Sequence, residues 1–207
     1  MGLTKAQPKP HTGEQREDVR SVEGLLEQLG DADSAIRRWA AIDLADYPDS
    51  APFLFDALMD ESTTQVREAL FASLGHIGGA QVVEDLIDVL RAEDAGLRNG
   101  AIEVLQTKPE DVAAHIIELL NDRDSDVRIF AIDILQMLAH PDTPIWLESV
   151  LRDEHHINVV AAALDRLAEV GTEDQLEPIK ALRQRFPDQD YLHFAIDTAV
   201  SRIEGDQ

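Results

Sequence analysis

Apolar residues recur along most of the chain at intervals of three and four positions, which is the spacing of one face of an α-helix. Nine-residue segments of this kind occur six times, and their starts are separated by 30, 31, 30, 32 and 32 residues. The first, fifth and ninth positions of each segment are small or apolar, so we expect them to face a core. The segments begin at Ile36, Val66, Leu97, Val127, Val159 and Tyr191.

A second stretch with helical periodicity precedes each segment, so the repeating unit is predicted to be a helical hairpin. Helix boundary signals agree with this division: Asp33, Asp94, Asp124 and Asp188 stand three residues before a segment, where an N-cap belongs. Pro52, Pro109 and Pro144 suit the first turns of upstream helices, and Pro178 is expected to kink or delay the sixth. Alternating β-branched runs are absent, so no strand is predicted.

The pattern predicts an all-α fold, a right-handed α-α solenoid of about six hairpins that each contact mainly their neighbours. Residues 1–20 contain two prolines and have nearly balanced charge, which favours a flexible tail. Residues 21–207 are predicted to form the repeat domain. The expected repeats cover approximately 21–47, 50–77, 80–107, 110–139, 143–170 and 173–204.

The sequence of the repeat resembles a known family. Asp33 to Arg37, Asp94 to Arg98 and Asp124 to Arg128 share an aspartate, an aliphatic residue three positions later and an arginine next to it. This pattern is similar to the HEAT repeat, and in its thirty-residue form to the HEAT-like repeats of the phycobilisome-lyase class. The resemblance implies an Asp–Arg ladder between repeats, which should stop after the fourth because Val160 and Leu192 replace the arginine.

Two enzyme-bearing relatives of this repeat class fit the residues poorly. Deoxyhypusine hydroxylase builds a di-iron site from His-Glu dipeptides, and none of the seven histidines here is followed by glutamate. HEAT-like DNA glycosylases hold DNA on a cationic face, whereas the corresponding face here is expected to be acidic. Resemblance to the lyase class leaves one alternative function, an accessory subunit or chaperone of a lyase or cofactor-insertion enzyme.

Charge and composition narrow the classes of partner. The net charge is −23, and the resulting field disfavours nucleic acid over most of the surface. No apolar run approaches the roughly 20 residues of a membrane span, and no secretory signal is evident, so a cytoplasmic protein is expected. The chain has no cysteine, which excludes thiolate metal sites and cysteine nucleophiles.

Candidate chemical sites have simpler explanations as helix boundaries. Adjacent residues on a helix point about 100° apart, so His155 and His156 are poorly placed to chelate one metal ion. Asp122 to Asp126 imitates the start of a calcium loop, but Val127 stands where glycine is needed, so the segment is interpreted as a capping loop. No nucleophile elbow, P-loop or dinucleotide motif occurs. We therefore expect no cofactor, no bound metal and no catalytic residue.

The downstream helices carry the best candidate for a binding surface, because they line the concave face in solenoids of this class. Position four of the repeat is small or aromatic and never charged, and position seven is a carboxylate in the last four repeats. Aromatic residues beside a row of acids suit a basic amphipathic helix or an extended cationic segment. The predicted partner-binding residues are Trp39, Glu103, Phe130, Asp133, Asp165, Phe194 and Asp197.

The sequence thus predicts a non-catalytic scaffold or adaptor that binds a basic partner protein or peptide on an acidic and aromatic concave face. In an alternative interpretation, the aromatic residues pack between neighbouring helices and the acidic residues only keep this surface hydrated. A second alternative for the acidity is adaptation to a high-salt cytoplasm, since lysines number only four. A GC-rich genome would also explain the few lysines, and the persistence of large core residues favours that ordinary explanation over adaptation to high salt.

Overall fold

A computed structural model describes residues 21–137 and 140–205, and within these ranges every regular element is helical. The predicted tail, residues 1–20, lies outside the described residues. Thirteen α-helices and two short 3-10 turns are present in the described ranges. The helices are α1 (Val22–Gln28), α2 (Ser34–Leu44), α3 (Ala51–Asp60), α4 (Thr64–Ile77), α5 (Ala80–Val89), α6 (Ala95–Gln106), α7 (Pro109–Ala113), α8 (Ile116–Leu120), α9 (Ser125–Met137), α10 (Thr143–Asp153), α11 (Ile157–Val170), α12 (Leu176–Arg185) and α13 (Asp190–Glu204).

The helices pair as hairpins, and the hairpins fall into two compact units, which meet in sequence between Ile77 and Gly78. In the first unit, α1 packs on α2, α3 packs on α4, and α2 packs on α4. In the second unit, α6, α9, α11 and α13 form one layer in which each helix packs on the next, while α8, α10 and α12 form part of the other layer. This arrangement confirms the predicted all-α solenoid of helical hairpins.

The prolines of the upstream helices lie in the first turns, as the sequence predicts. Pro52, Pro109 and Pro144 occupy the first or second position of α3, α7 and α10, where a backbone N–H has no helical partner. Pro178 stands in the first turn of α12, whose start is delayed by a 3-10 turn over Glu173–Gln175. The fourth upstream helix differs from the prediction, because it is divided into α7 and α8 and the N–H of His115 bonds to Val112 at 2.8 Å, three residues back.

Three of the four predicted N-cap aspartates accept hydrogen bonds from the helices they precede. Asp33 accepts from the N–H of Ala35 at 2.8 Å, Asp94 from Gly96 at 2.7 Å, and Asp124 from Asp126 at 2.9 Å. Asp188 does not cap α13, because that helix begins at Asp190 after Gln189. These caps satisfy donors that the first turn of a helix leaves without an intrahelical acceptor.

Two arginines of the repeat, Arg37 and Arg128, bridge to the next hairpin through a glutamate, whereas the resemblance implied an aspartate. Arg37 donates to both carboxylate oxygens of Glu61 at 2.7 and 3.1 Å, and Arg128 binds Glu154 at 2.6 and 3.1 Å. Both glutamates end an upstream helix within an Asp-Glu dipeptide, a signal that the sequence analysis missed. In the last two repeats the arginine position is occupied by Val160 and Leu192, which are apolar and fully buried and therefore form no such bridge.

The core follows the predicted positions in the interior repeats and departs from them at the two ends. Val66, Leu97, Val127 and Val159 are buried at position one, whereas Ile36 is only half-buried in the first repeat. The prediction is wrong for Tyr191, whose side chain is 65% exposed while its neighbour Leu192 takes the buried place. Tyr191 belongs to the last helix, and within the described residues no further helix packs beyond it to cover it.

Candidate functional site

An open pocket of about 510 Å³ lies in the second unit, where α9, α11 and α13 lie side by side. Its volume is within the range of roughly 300–1,000 Å³ that is usual for binding pockets. We call this surface the α11 trough, because residues of α11 form its floor and residues of α9 and α13 form its sides. The trough is lined by Ile129 of α9, by Asn158, Ala161, Ala162, Leu164, Asp165 and Ala168 of α11, and by Tyr191, Phe194, Ala195 and Thr198 of α13.

The floor of the trough is low because α11 presents small side chains there. Ala161 and Ala162 line the trough, and Ala168 lines it about two turns further along a 14-residue helix whose larger residues, such as Leu164 and Leu167, are fully buried. Because these alanine side chains are small, the surface of α11 lies below the side chains of α9 and α13 on either side of it. The sequence pattern of α11 thus produces a depression without any break in its backbone.

Two exposed aromatic rings stand on the α13 side of the trough. Phe194 is 72% exposed and Tyr191 is 65% exposed, so both expose much of their apolar surface to solvent. Phe194 was among the residues predicted from sequence, and the structure places it in the trough lining. Tyr191 was missed because its place in the repeat assigned it to the core. Its exposure depends on its position in the last helix, which periodicity alone does not reveal.

The α9 side is less exposed. Phe130 is half-buried, and the guanidinium of Arg98 lies 5.6 Å from the centre of its ring. Asp133 is also half-buried, and burial raises the pKa of its carboxyl above the ordinary value. Asp133 lies one helical turn from Ile129, which lines the trough. The charged form of Asp133 is therefore incompletely hydrated, and a cation bound close to it would stabilise that form.

The predicted acidic row is present, but its four members have different surroundings. Glu103, Asp133 and Asp165 occupy the same repeat position on α6, α9 and α11, and these helices are successive neighbours in one layer. Glu103 and Asp165 are exposed, and neither makes an ion pair with another described residue. Asp197, the fourth member, pairs with Arg183 of α12 and is not among the trough residues. Of the row, Asp165 alone lines the trough itself.

Trp39 lies in the first unit, on α2. Its side chain is 59% exposed, and the guanidinium of Arg38 lies 5.5 Å from the ring centre. The α11 trough belongs to the second unit, so Trp39 is not part of it. The role of Trp39 in binding stays a prediction from sequence.

Within the described residues, no three histidine, aspartate or glutamate side chains lie close enough together to hold a metal ion. His155 and His156 are both exposed, and their backbone N–H groups donate to Glu154 at 2.9 and 2.7 Å. They form the turn before α11. None of the helices in the described part of the chain combines the length and apolar character needed to span a bilayer.

Several solved structures show a weak overall similarity to this chain. One is to an engineered protein, with 18% identity, a TM-score of 0.42, and coverage of 88% of this chain and 96% of that one. Another is to the complex of CpcE and CpcF of phycocyanin lyase from Nostoc sp., with 20% identity, a TM-score of 0.39, and coverage of 86% and 85%. A designed armadillo repeat protein has 15% identity, a TM-score of 0.39, and coverage of 88% and 100%.

A search of curated proteins gave no match. A family model gives the clearest result: the model for HEAT repeats matches residues 22–106 and again residues 113–196, which together are most of the chain. The match covers helices from both units, including α9, α11 and the first part of α13. The helical hairpins, the capping aspartates and the bridging arginines all agree with this match, and the chain belongs to the HEAT-repeat family.

Proposed function

We propose that this protein is a non-catalytic scaffold that binds a cationic segment of a partner protein in the α11 trough. Arrays of HEAT repeats are typical of protein-interaction scaffolds, since stacked hairpins provide extended binding surfaces. The observation that carries the proposal is the trough itself, an open apolar pocket of about 510 Å³ with two exposed aromatic rings at one side. Exposed aromatics in a depression are the usual anchors of protein interfaces.

Charge favours a cationic partner over a neutral or acidic one. Asp165 lies in the trough without an ion-pair partner among the described residues, and Glu103 and Asp133 continue the acidic row on neighbouring helices. The net charge of the chain, −23, attracts cationic segments over distances beyond direct contact. We expect the rings to supply most of the affinity, while the acids accelerate association and reject acidic competitors.

The experiment compares proteins captured from the native host by the wild-type chain and by Phe194→Ala. Phe53→Ala is the matched control, because Phe53 is an aromatic residue with 51% exposure on α3, outside the trough. We expect a specific protein to be retained by the wild type and the control and lost from Phe194→Ala. Its binding, measured with the purified pair, should weaken at least tenfold in Phe194→Ala. Equal binding by all three chains would contradict the proposal.

The alternative function, an accessory subunit or chaperone of a lyase or cofactor-insertion enzyme, stays a prediction from resemblance. Structural similarity to the phycocyanin lyase complex is too weak to support it, and no feature of the described residues singles out a chromophore site. The capture experiment bears on this alternative too, because a cofactor-bearing client protein would favour it over a general scaffold.

A further inference from the structure

We propose that the occupant of the α11 trough is a cationic amphipathic α-helix of the partner, lying on the alanine floor between α9 and α13. The inference rests on the proposed function and deepens it. An extended cationic segment is the competing occupant, and the sequence does not distinguish the two. The hydrogen-bonding needs of the occupant's backbone and the dimensions of the trough favour the helix.

Backbone hydrogen bonding separates a helical from an extended occupant. An extended segment brings one N–H and one C=O per residue into the trough, and each buried group needs a partner. The backbones of α9, α11 and α13 are engaged in their own helices, so no sheet edge is available for strand addition.

Side chains in the trough also supply few partners. The Asn158 side chain makes no hydrogen bond to another described residue, but the hydroxyl of Thr198 already donates to the carbonyl of Phe194 at 2.9 Å. Asp165 can only accept hydrogen bonds when it is ionised. A helix satisfies its backbone groups internally and avoids this cost.

The shape of the trough suits a helix. Packed helices in one layer lie about 8–10 Å apart, so α9 and α13 are separated by roughly 16–20 Å across α11. The side chains of α9 and α13 take up about 5–6 Å of this distance on each side, so a bound helix, which is about 10–12 Å wide, rests on the surface of α11 with its edges against α9 and α13. Ala161, Ala162 and Ala168 make α11 low along its exposed side. With 14 residues, α11 is about 21 Å long, which corresponds to about four turns of a bound helix.

Charge and apolar surface then define the face that the bound helix presents. Apolar residues spaced at i, i+3, i+4 and i+7 would contact the alanine floor, Ile129 and the rings of Tyr191 and Phe194. Lysine or arginine residues beside that stripe would lie near Asp165. The expected partner segment is therefore a helix of about four turns with a narrow apolar stripe and cationic flanks.

The test uses the full chain and three synthetic peptides of about 18 residues with the same charge. The first has leucines at i, i+3, i+4 and i+7 and lysines on the flanks. The second has the same composition with the leucines distributed around the helix. The third is the first with a central proline, which breaks the helix. Fluorescence anisotropy measures affinity, and circular dichroism of each mixture measures the helicity gained on binding.

A protein variant checks the location. Ala162→Phe fills the floor of the trough, and Ala181→Phe is its matched control because Ala181 is exposed on α12, in the other layer. We expect the striped peptide to gain helicity and to bind at least tenfold more tightly than the other two. Ala162→Phe should abolish that preference, and Ala181→Phe should retain it.

Two failures are distinguishable. If the proline peptide binds as tightly as the striped peptide and both are weakened by Phe194→Ala and Ala162→Phe, the trough binds extended segments, so the helix inference is wrong and the proposed function stands. If no peptide binds above the level of the scattered-leucine peptide, or if neither Phe194→Ala nor Ala162→Phe changes the binding, both the inference and the proposed function are overturned.

Discussion

At the scale of single residues, two glutamates that carry little signal in the sequence have the most constrained surroundings. Glu61 is buried, accepts two hydrogen bonds from Arg37 and accepts two more from the N–H groups of Ser62 and Thr63. The hydrogen bonds from Arg37, together with those from Thr63, lower the pKa of the Glu61 carboxyl to about 2, although burial opposes this shift. Glu154 repeats the arrangement: burial raises its pKa, but hydrogen bonds from Arg128 and His156 outweigh burial and lower it.

Glu61→Gln should destabilise the protein at neutral pH, and the difference in stability between the variant and the wild type should disappear in acid. The folded pKa is below the ordinary value of about 4.5, so the ionised carboxylate contributes stability that is complete above pH 4.5 and is lost as the pH falls toward 2. We expect a loss of about 1–3 kcal/mol at pH 7 by urea denaturation. Glu118→Gln, an exposed control on α8, should change little. A difference that persists undiminished at pH 2 would contradict this account.

The two phenylalanines of the predicted surface should respond differently to truncation. Phe130 is half-buried beneath Arg98, so Phe130→Ala is expected to lower the free energy of unfolding by about 1–3 kcal/mol. Phe194 is 72% exposed, and Phe194→Ala should change stability by less than about 0.5 kcal/mol. Thermal and urea denaturation of both variants measure this. A large loss of stability in Phe194→Ala would mean that the ring is a packing residue, which removes the basis for a binding trough.

At the scale of elements, the packing of α11 against α13 depends on a glycine at the end of α11. A Cβ atom at Gly171 would lie 2.5 Å from the carbonyl oxygen of Leu167 and 2.7 Å from Cδ1 of Ile203 on α13. Both distances are too short for carbon contacts. The absence of a side chain at this position therefore allows α13 to approach α11, and these two helices form one side and the floor of the trough.

Gly171→Ala is expected to destabilise the second unit by about 1–3 kcal/mol, because the helix end or Ile203 has to shift. Gly30→Ala is the matched control: its added Cβ would meet only the carbonyl oxygen of Glu27 at 3.6 Å, an ordinary contact. That variant should be neutral or slightly stabilising, since alanine restricts the unfolded chain more than glycine does. Equal stability of the two variants by urea denaturation would show that Gly171 has no packing role.

At the scale of the whole molecule, the excess of acidic residues should oppose folding at low ionic strength. The net charge is −23, and like charges on a folded surface repel each other over about 10 Å at 0.1 M salt. The part-buried pairs of Arg37 with Glu61 and Arg128 with Glu154 are screened less than surface charges. Salt should therefore weaken repulsion more than it weakens these pairs.

We expect the melting temperature to rise by about 2–5 °C when the sodium chloride concentration is raised from about 0.01 to about 0.2 M. Differential scanning calorimetry at constant pH measures this change, and far-UV circular dichroism should show a helical spectrum throughout. A melting temperature that falls with salt would show that attractive ion pairs outweigh the repulsion.

What the sequence alone determined about this protein is its architecture. A period of about 30 residues, apolar spacing of three and four, capping aspartates and first-turn prolines define helical hairpins, because these signals act through the chain's own backbone and neighbouring residues. The same periodicity indicated Phe194 and Asp165 as outward-facing positions, and both line the α11 trough.

The tertiary structure decided which outward positions are open, because that depends on what the neighbouring helices cover. Tyr191 is exposed because no further helix within the described residues packs over it on α13. Phe130 is partly covered and lies beneath Arg98, and Asp197 is paired with Arg183. Arg37 and Arg128 likewise bind glutamates of the next hairpin, which the repeat pattern did not identify. These contacts join residues far apart in the chain, and a local pattern contains no information about the distance between such residues after folding.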